Sequence, residues 1–233
     1  MEKKVEEIVK WMQEVVSQAK GKGLVFGLSG GIDSAVIAGL AKKAFPNDSL
    51  GILMPIHSID EDEEDAILVA EALKLKTKKV DLTKTFDTLL ESSFESKNKM
   101  AKSNIKPRLR MTTLYYYAQD LGYLVAGPSN ASEYYIGYLT KHGDTGADLF
   151  PLINFVKSEV VELAKVLNIP DKVIYKKPSA GLYLGQTDEL ELGFSYDELD
   201  KVIKEDYVGP NREKIDHMHT ISQHKRISPP KFS

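Results

Sequence analysis

The sequence predicts an α/β fold: a doubly wound parallel β-sheet with helices on both faces. Short apolar runs typical of buried strands alternate with helical patterns through the first half of the chain, as in parallel sheets. The first apolar run leads directly into a glycine-rich turn that opens a helix. The 233 residues suffice for one α/β domain with a sizeable core.

The individual elements follow from the spacing of the apolar residues. Helical spacing predicts an amphipathic helix over residues 1–20. Buried strands are predicted at 24–28, 50–55, 78–82 and 123–127. Further helices are predicted at 33–44, 60–74, roughly 107–120 and 156–168. Parallel sheets of this kind bind their ligands beyond the carboxyl ends of the strands.

Two polar stretches, 91–107 and 176–193, are predicted as loops. Each is longer than an ordinary connection, which favours flexible binding loops or lids over plain linkers, and the second is expected to be flexible over 179–193. No internal repeat, low-complexity tract or domain boundary divides the chain. We therefore expect residues 1–233 to form a single domain.

Composition and charge exclude several classes of function. The formal net charge is −3, so neither a nucleic-acid partner nor a membrane surface is favoured. The chain has no cysteine, which excludes disulfides, thiolate metal sites and a cysteine nucleophile. Its first residues lack the apolar run that is typical of a signal peptide, and no segment of about 18 apolar residues occurs in the sequence. A cytoplasmic location is expected.

The stretch GLSGGIDS, residues 27–34, lies where the first predicted strand meets its helix. It matches neither the Walker A pattern nor the GxGxxG fingerprint. Gly30 and Gly31 allow backbone N–H groups to converge on one point, and the helix N-terminus adds unpaired donors and positive potential. Two serine hydroxyls can add hydrogen bonds to phosphate oxygens. An anion such as a phosphate is therefore favoured at this turn.

Asp33 is the residue of this turn that a phosphate would repel. A carboxylate there suits a different role, that of a hard oxygen ligand to Mg²⁺, which would bridge to the phosphates. The alternative is an ordinary strand-to-helix turn, in which Asp33 is a helix-start residue. The turn by itself leaves both interpretations open.

The six residues SGGIDS after an apolar strand resemble the signature of the N-type ATP pyrophosphatases. The resemblance implies an adenine-nucleotide hydrolase-like fold whose loop binds the β- and γ-phosphates of ATP while AMP is transferred to an oxygen acceptor. This superfamily includes GMP synthetase, asparagine synthetase, argininosuccinate synthetase, tRNA-thiolation enzymes and NAD synthetase. The signature identifies the ATP chemistry and leaves the acceptor open.

Four further stretches resemble NAD synthetases and narrow the choice of acceptor. They occur in order at 104–119, 124–152, 156–165 and 177–193. A weaker match extends to HKR at 224–226. One departure is Pro128, which stands where the family usually has a threonine hydroxyl near ATP.

The resemblance implies a site for ATP and one magnesium ion. Its ATP-binding residues would be Gly27, Leu28, Ser29, Gly30, Gly31, Ile32, Asp33, Ser34, Lys157 and Ser179. Asp33 and Glu133 would bind the Mg²⁺. Glu133 follows a predicted strand end, which suits that role, although it could equally be a first-turn acid stabilised by the helix dipole. Lys157 could face the triphosphate or solvent.

For the second substrate, deamido-NAD, the resemblance implies the binding residues Arg108, Lys141, Asp148, His224 and Lys225. Asp144 is a candidate near the ammonia position. Arg108 also belongs to a run of six cations: Lys97, Lys99, Lys102, Lys106, Arg108 and Arg110. This run could close on an anion, but for the four lysines a solvated loop is the favoured interpretation.

The implied reaction is the ATP-dependent amidation of deamido-NAD to NAD through an acyl-adenylate, with release of AMP and pyrophosphate. Free ammonia is the expected nitrogen donor, because a glutaminase would need a cysteine nucleophile and further length. The family also implies a homodimer. The alternatives are another N-type ATP pyrophosphatase, such as a tRNA-modifying or GMP synthetase-like enzyme, and a non-catalytic nucleotide-binding module.

Overall fold

The sheet consists of four parallel strands in the order β3–β2–β1–β4. The computed structural model describes residues 1–177 and 187–232, and the strands are β1 (Gly23–Gly27), β2 (Ser49–Leu53), β3 (Lys76–Lys79) and β4 (Tyr123–Val125). The chain runs outward from β1 to β2 and β3, and then returns to the other side of β1 for β4. The strand order therefore reverses beside β1, where doubly wound sheets bind ligands.

The helices in the described ranges connect and cover these strands. They are α1 (Glu2–Gln18), α2 (Ile32–Ala44), α3 (Asp60–Ala72), α4 (Thr83–Glu91), α5 (Lys99–Ser103), α6 (Ile105–Leu121), α7 (Ala131–Ile136), α8 (Lys157–Val166), α9 (Asp171–Ile174), α10 (Asp188–Leu192), α11 (Tyr196–Glu205) and α12 (Arg212–Ile221), followed by a 3₁₀ turn at Gln223–Lys225. Within these ranges no helix combines the length and the apolar character that a membrane span requires.

Helices cover both faces of the sheet, which confirms the predicted fold class. Leu24 and Phe26 of β1 belong to one hydrophobic cluster with α1, α2, α3 and α8, whereas Val25 belongs to a second cluster with α4 and α6. This alternation follows from the two-residue period of a strand. A third cluster joins α7 to α11 and α12 through Ile136, Leu199 and Ile215. It holds the carboxy-terminal helices beside the end of β4.

Several elements differ from the prediction because they consist mostly of polar residues, which give no apolar periodicity. The stretch 91–107 contains α5 and the start of α6, and α5 is capped by Asn98, whose side chain accepts a hydrogen bond from the Ala101 amide. Within 176–193, Thr187 caps α10 in the same way. Strand β3 begins two residues before the predicted 78–82, because an exposed edge strand carries no apolar run.

The turn between β1 and α2 requires glycine at one position. Gly30 has a φ of +79°, a left-handed conformation, and a Cβ at that residue would overlap the carbonyl oxygen of Asp62 in α3. Gly31 has a φ of −87°. A Cβ there would lie 3.5 Å from the Ser29 Oγ, an ordinary contact. The backbone therefore requires glycine at position 30, whereas a Cβ could be accommodated at position 31.

We predict that Gly30→Ala lowers the free energy of unfolding by about 1–3 kcal/mol, because the alanine must adopt a strained backbone and displace Asp62. Gly31→Ala is the matched control and should leave the stability close to that of the wild type. Urea unfolding followed by circular dichroism measures both. Equal losses in the two variants would contradict this account of the turn.

Candidate functional site

A cavity of about 820 Å³ opens at the carboxyl ends of β1, β2 and β4. Most of the sequence-predicted site residues line it: Gly27, Leu28, Ser29, Gly31, Ile32, Asp33, Ser34, Glu133, Asp144, Lys157, His224 and Lys225. Gly30, Arg108, Lys141 and Asp148 lie outside the lining. Ser179 lies outside the described residues. Residues from both halves of the sequence thus converge on one cavity.

The glycine turn is held in shape by its own serine hydroxyls. Ser34 Oγ donates a hydrogen bond to the Gly31 carbonyl oxygen at 2.8 Å, and Ser29 Oγ lies 3.0 Å from Ser34 Oγ. Helix α2 begins at Ile32, and no side chain caps its first turn. Its free N–H groups and the positive end of its dipole therefore remain available to an anion.

Asp33 and Glu133 approach one another around a single cation. The Lys157 Nζ lies 2.6 Å from Asp33 Oδ2 and 3.4 Å from Glu133 Oε1. All three side chains are at least four-fifths buried, with exposed fractions of 9, 16 and 20% for Lys157, Asp33 and Glu133. The ammonium group occupies a position between two carboxylates that come from α2 and α7, which is where a bound cation would lie.

Asn130, which was not among the predicted site residues, binds the Asp33 carboxylate and caps the helix that carries Glu133. Its Nδ2 donates to Asp33 Oδ1 at 2.8 Å, and its Oδ1 accepts from the Glu133 amide at 3.0 Å as the N-cap of α7. An asparagine three residues before a helical glutamate is a recognisable cap signal. Its long-range bond to Asp33 depends on the fold and has no signal in the sequence.

The electrostatics of this cluster reflect its burial. Burial, followed by the charge of Asp33, raises the pKa of Glu133, although the ammonium of Lys157 opposes the shift. Burial alone would lower the pKa of Lys157, but the two carboxylates outweigh it and raise that pKa. The lysine therefore stays charged at neutral pH and compensates the acidic pair.

Asp33 and Glu133 supply only part of the six ligands that a magnesium ion takes. Hard oxygen ligands suit Mg²⁺, which usually takes one or two protein carboxylates and completes its octahedron with phosphates and waters. No group of three or more His, Cys, Asp or Glu side chains in residues 1–177 and 187–232 could hold a metal ion by itself. The donor set of Asp33 and Glu133 therefore fits a magnesium ion that arrives with a phosphate ligand.

Lys157 is fixed by a buried network that links three helices. Its backbone amide donates to Ser132 Oγ at 2.9 Å, and the Ser132 hydroxyl donates to Asp200 Oδ1 at 2.6 Å. Asp200 Oδ2 also accepts from the amide of Ser158 at 2.8 Å. Asp200, in α11, thus fixes the start of α8 beside α7. No local pattern in the sequence marks Asp200, because its hydrogen-bond partners are 42 and 68 residues away in the chain.

At the other end of the cavity, the predicted deamido-NAD residues contact the protein itself. Arg108 donates from Nε and Nη2 to the Lys141 carbonyl oxygen at 3.2 and 3.1 Å. Asp148 accepts from the Val125 amide at 2.8 Å and from the Tyr115 hydroxyl at 3.1 Å. These bonds tie α6 and β4 to the segment 137–149, so that Arg108 and Asp148 shape the wall of the cavity from behind.

Lys225 and Asp144 face the cavity directly. The Lys225 Nζ donates to the carbonyl oxygens of Gly137 and Leu139 at 2.7 and 2.9 Å. The Asp144 Oδ1 accepts from the Thr140 amide at 2.6 Å. Burial nevertheless raises the pKa of Asp144 to about 6.

Two cations of the run at 97–110 are enclosed by the protein. Lys106 is 9% exposed, so the expectation of a solvated side chain is wrong at this position. The Arg110 Nε donates to the Met54 carbonyl oxygen at 3.1 Å, and its side chain lines the cavity. Both residues face inward because the segment forms a helix whose one side packs against the sheet. Burial lowers the pKa of each.

Comparison with known proteins supports the resemblance. A family model described as NAD synthase matches residues 4–229. A protein of Finegoldia magna named NH(3)-dependent NAD(+) synthetase is 52% identical over 221 residues, which cover 95% of this chain and 92% of that protein. A protein of the same name from Carboxydothermus hydrogenoformans is 49% identical over 236 residues, which cover 98% and 96%.

Solved structures agree over almost the full length. The NMN synthetase from Francisella tularensis is 38% identical with a TM-score of 0.94, covering 99% of this chain and 98% of that one. The NH3-dependent NAD synthetase from Campylobacter jejuni, in complex with the nitrate ion, is 29% identical with a TM-score of 0.83 at the same coverage. The family model, the sequence identities and the shared fold together show that this chain belongs to the NAD synthase family.

Proposed function

We propose that the protein catalyses the ATP-dependent amidation of deamido-NAD with ammonia, giving NAD, AMP and pyrophosphate. The observation that carries this proposal is the pair Asp33 and Glu133 held around one cation beside a preformed anion-binding turn. That arrangement suits a nucleotide triphosphate with a divalent ion. The names of the relatives, NH(3)-dependent NAD(+) synthetases, support the same acceptor and the same nitrogen donor.

The reaction needs no protein nucleophile. The nicotinate carboxylate attacks the α-phosphorus of ATP, the bond to pyrophosphate breaks, and an acyl-adenylate forms. Ammonia then attacks the activated carbonyl, loses a proton and displaces AMP. The protein holds two polyanions in line and stabilises the charge that develops on the pyrophosphate. The amides at the start of α2 and the Lys157 ammonium are suited to that task.

Magnesium would be held by Asp33 and Glu133. When bound, it supplies positive charge that neutralises the phosphate oxygens of the leaving group. The Lys157 ammonium lies 2.6 Å from Asp33 and 3.4 Å from Glu133, where it compensates their charge and would stand beside the triphosphate.

Asp144 is proposed to act near the ammonia position. Its carboxylate lines the cavity, and the sequence contains no cysteine that could release ammonia from glutamine. A negatively charged group would attract ammonium from solution and favour its binding.

A second acceptor is favoured by one observation. The NMN synthetase from Francisella tularensis has a TM-score of 0.94 to this chain, against 0.83 for the Campylobacter jejuni NAD synthetase. Nicotinate mononucleotide presents the same carboxylate as deamido-NAD and lacks the adenosine half. The ratio of kcat/KM for the two acceptors decides which is the better substrate.

We further propose that the protein is a cytoplasmic homodimer. Tyr116 on α6 is 71% exposed, and a large aromatic side chain on the surface suits burial by a second copy. The absence of cysteine suits a reducing compartment. Light scattering at the enzyme concentration of the assay should give twice the 26.0 kDa chain mass, and a fully active monomer would contradict the dimer.

We predict that the purified protein forms AMP and pyrophosphate only when deamido-NAD, ammonia and Mg²⁺ are all present. Asp33→Asn should lower the rate on the order of 100-fold or more, because it removes an anionic ligand of the metal. Asp87→Asn, which removes an exposed carboxylate paired with His57, is the control and should retain the wild-type rate. Formation of AMP without deamido-NAD, with tRNA or another acceptor instead, would refute the proposed substrate.

Lys157→Met should destabilise the nucleotide-free protein by on the order of 3 kcal/mol, because Asp33 and Glu133 lose their cation. Added Mg²⁺ should restore more of the melting temperature in this variant than in the wild type, since the ion no longer competes with the ammonium. Lys165→Met removes an exposed lysine of the same helix and is the control. An equal response to Mg²⁺ in all three proteins would argue against the shared cation position.

The pH profile tests Asp144. Its raised pKa of about 6 means that the carboxylate is ionised above that value and neutral below it, so the rate at constant free ammonia should fall below pH 6. Asp144→Asn should lower the rate at pH 7 and remove this acidic limb. An unchanged limb in the variant would assign it to another group.

A further inference from the structure

We propose that Lys176 is a second phosphate-binding residue of the site: its ammonium is held by two aspartates of α3 in the nucleotide-free protein and transfers to the β- and γ-phosphates when ATP binds. The proposal rests on the proposed function, because it requires ATP at the turn formed by residues 27–34. It adds a residue that the family resemblance did not supply.

Lys176 follows α9 and is held over the cavity by two ion pairs. Its Nζ lies 2.9 Å from Asp62 Oδ1 and 2.6 Å from Asp65 Oδ2. The side chain is 23% exposed and lines the same cavity as Asp33 and Lys157. The ammonium group is therefore partly buried and reaches the space where the nucleotide would bind.

The part of α3 that holds Lys176 is in direct contact with the phosphate-binding turn. A Cβ on Gly30 would overlap the carbonyl oxygen of Asp62 and lie 3.1 Å from the Cβ of Asp65. No side chain separates these two pieces of backbone. Lys176 is thus anchored on the residues that form the wall of the turn.

A triphosphate in this turn needs a cation on that side. The first turn of α3 contains the acids Asp60, Glu61, Asp62 and Glu63. Asp62 and Glu63 line the cavity, and their charges repel a polyanion at short range. An ammonium group placed between these acids and the phosphates would remove the repulsion and add a charge-assisted hydrogen bond.

Lys172 makes the transfer possible without leaving a buried charge unpaired. Asp65 is fully buried, and its Oδ1 lies 2.7 Å from the Lys172 Nζ. When Lys176 turns toward the phosphates, Asp65 keeps this second partner. The arrangement repeats that of Lys157, whose ammonium is also held by carboxylates next to the turn.

The alternative is that Lys176 only ties α9 to α3. The two roles differ in which nucleotide they affect, because a residue that contacts the β- and γ-phosphates influences ATP and pyrophosphate and leaves AMP unaffected. Lys165 provides the control, since it is an exposed lysine of α8 that pairs with Glu162 and does not line the cavity.

The experiment measures dissociation constants for ATP and AMP in the presence of Mg²⁺ by titration calorimetry. Lys176→Met should weaken ATP binding about 10- to 100-fold, the effect of losing a charge-assisted hydrogen bond, and leave AMP binding within about twofold. Lys165→Met should change both within about twofold. Inhibition by pyrophosphate should weaken in parallel with ATP in Lys176→Met alone.

An unchanged preference for ATP over AMP in Lys176→Met would overturn the proposal, as would an equal loss in Lys165→Met. Should Lys176→Met fail to fold, Lys176→Gln keeps a hydrogen-bond donor without the charge and gives the same comparison. A wild-type protein that binds ATP but does not amidate deamido-NAD would overturn the proposed function and leave the role of Lys176 standing.

Discussion

The ion cluster of Lys157 with Asp33 and Glu133 is the interaction on which the rest of the site depends. Two carboxylates brought together by α2 and α7 repel one another, and the ammonium from α8 makes their proximity stable. The cluster connects α2 and α8, which pack in the core around β1, to α7, which packs on α11 and α12. Asn130 and Asp200 have no place in the proposed chemistry, yet they set the distances within the cluster. The geometry around the turn is therefore preformed before any ligand arrives.

This preorganisation suits the binding of a polyanion with a metal ion. In the nucleotide-free protein the cations near the turn are already paired with carboxylates, so little charge is left uncompensated. In the proposed function, binding would exchange partners, with the phosphates accepting the ammonium groups that the carboxylates hold. An exchange of this kind avoids exposing a bare charge in a partly buried site, where an unpaired ion is costly. It also concentrates positive charge where negative charge develops on the leaving pyrophosphate.

The alternation of strands and helices and the anion-binding turn could be predicted because each has a local pattern. The run from β1 into α2 contains the apolar strand, the glycines and the helix start within a dozen residues. Strand β3 was predicted with its start two residues late, because an edge strand needs no apolar side chains, and α5 was predicted as a loop because its cap, Asn98, lies in a polar stretch. Asn130, Asp200 and Lys176 could not be predicted as site residues, since each acts through partners distant in the chain.

The same distinction separates the two ends of the cavity. The turn at residues 27–34 is one short stretch, so its preference for an anion can be read from the sequence. The opposite wall is built from contacts between α6, the segment 137–149 and the chain after α12, and there Arg108, Asp148 and Lys225 bind protein groups. Because these charged side chains hydrogen-bond to the backbone, they fix the shape of this wall of the cavity as well as its charge. Relatives named NMN synthetase and NAD synthetase share this fold, so the fold by itself does not decide which nucleotide is the acceptor.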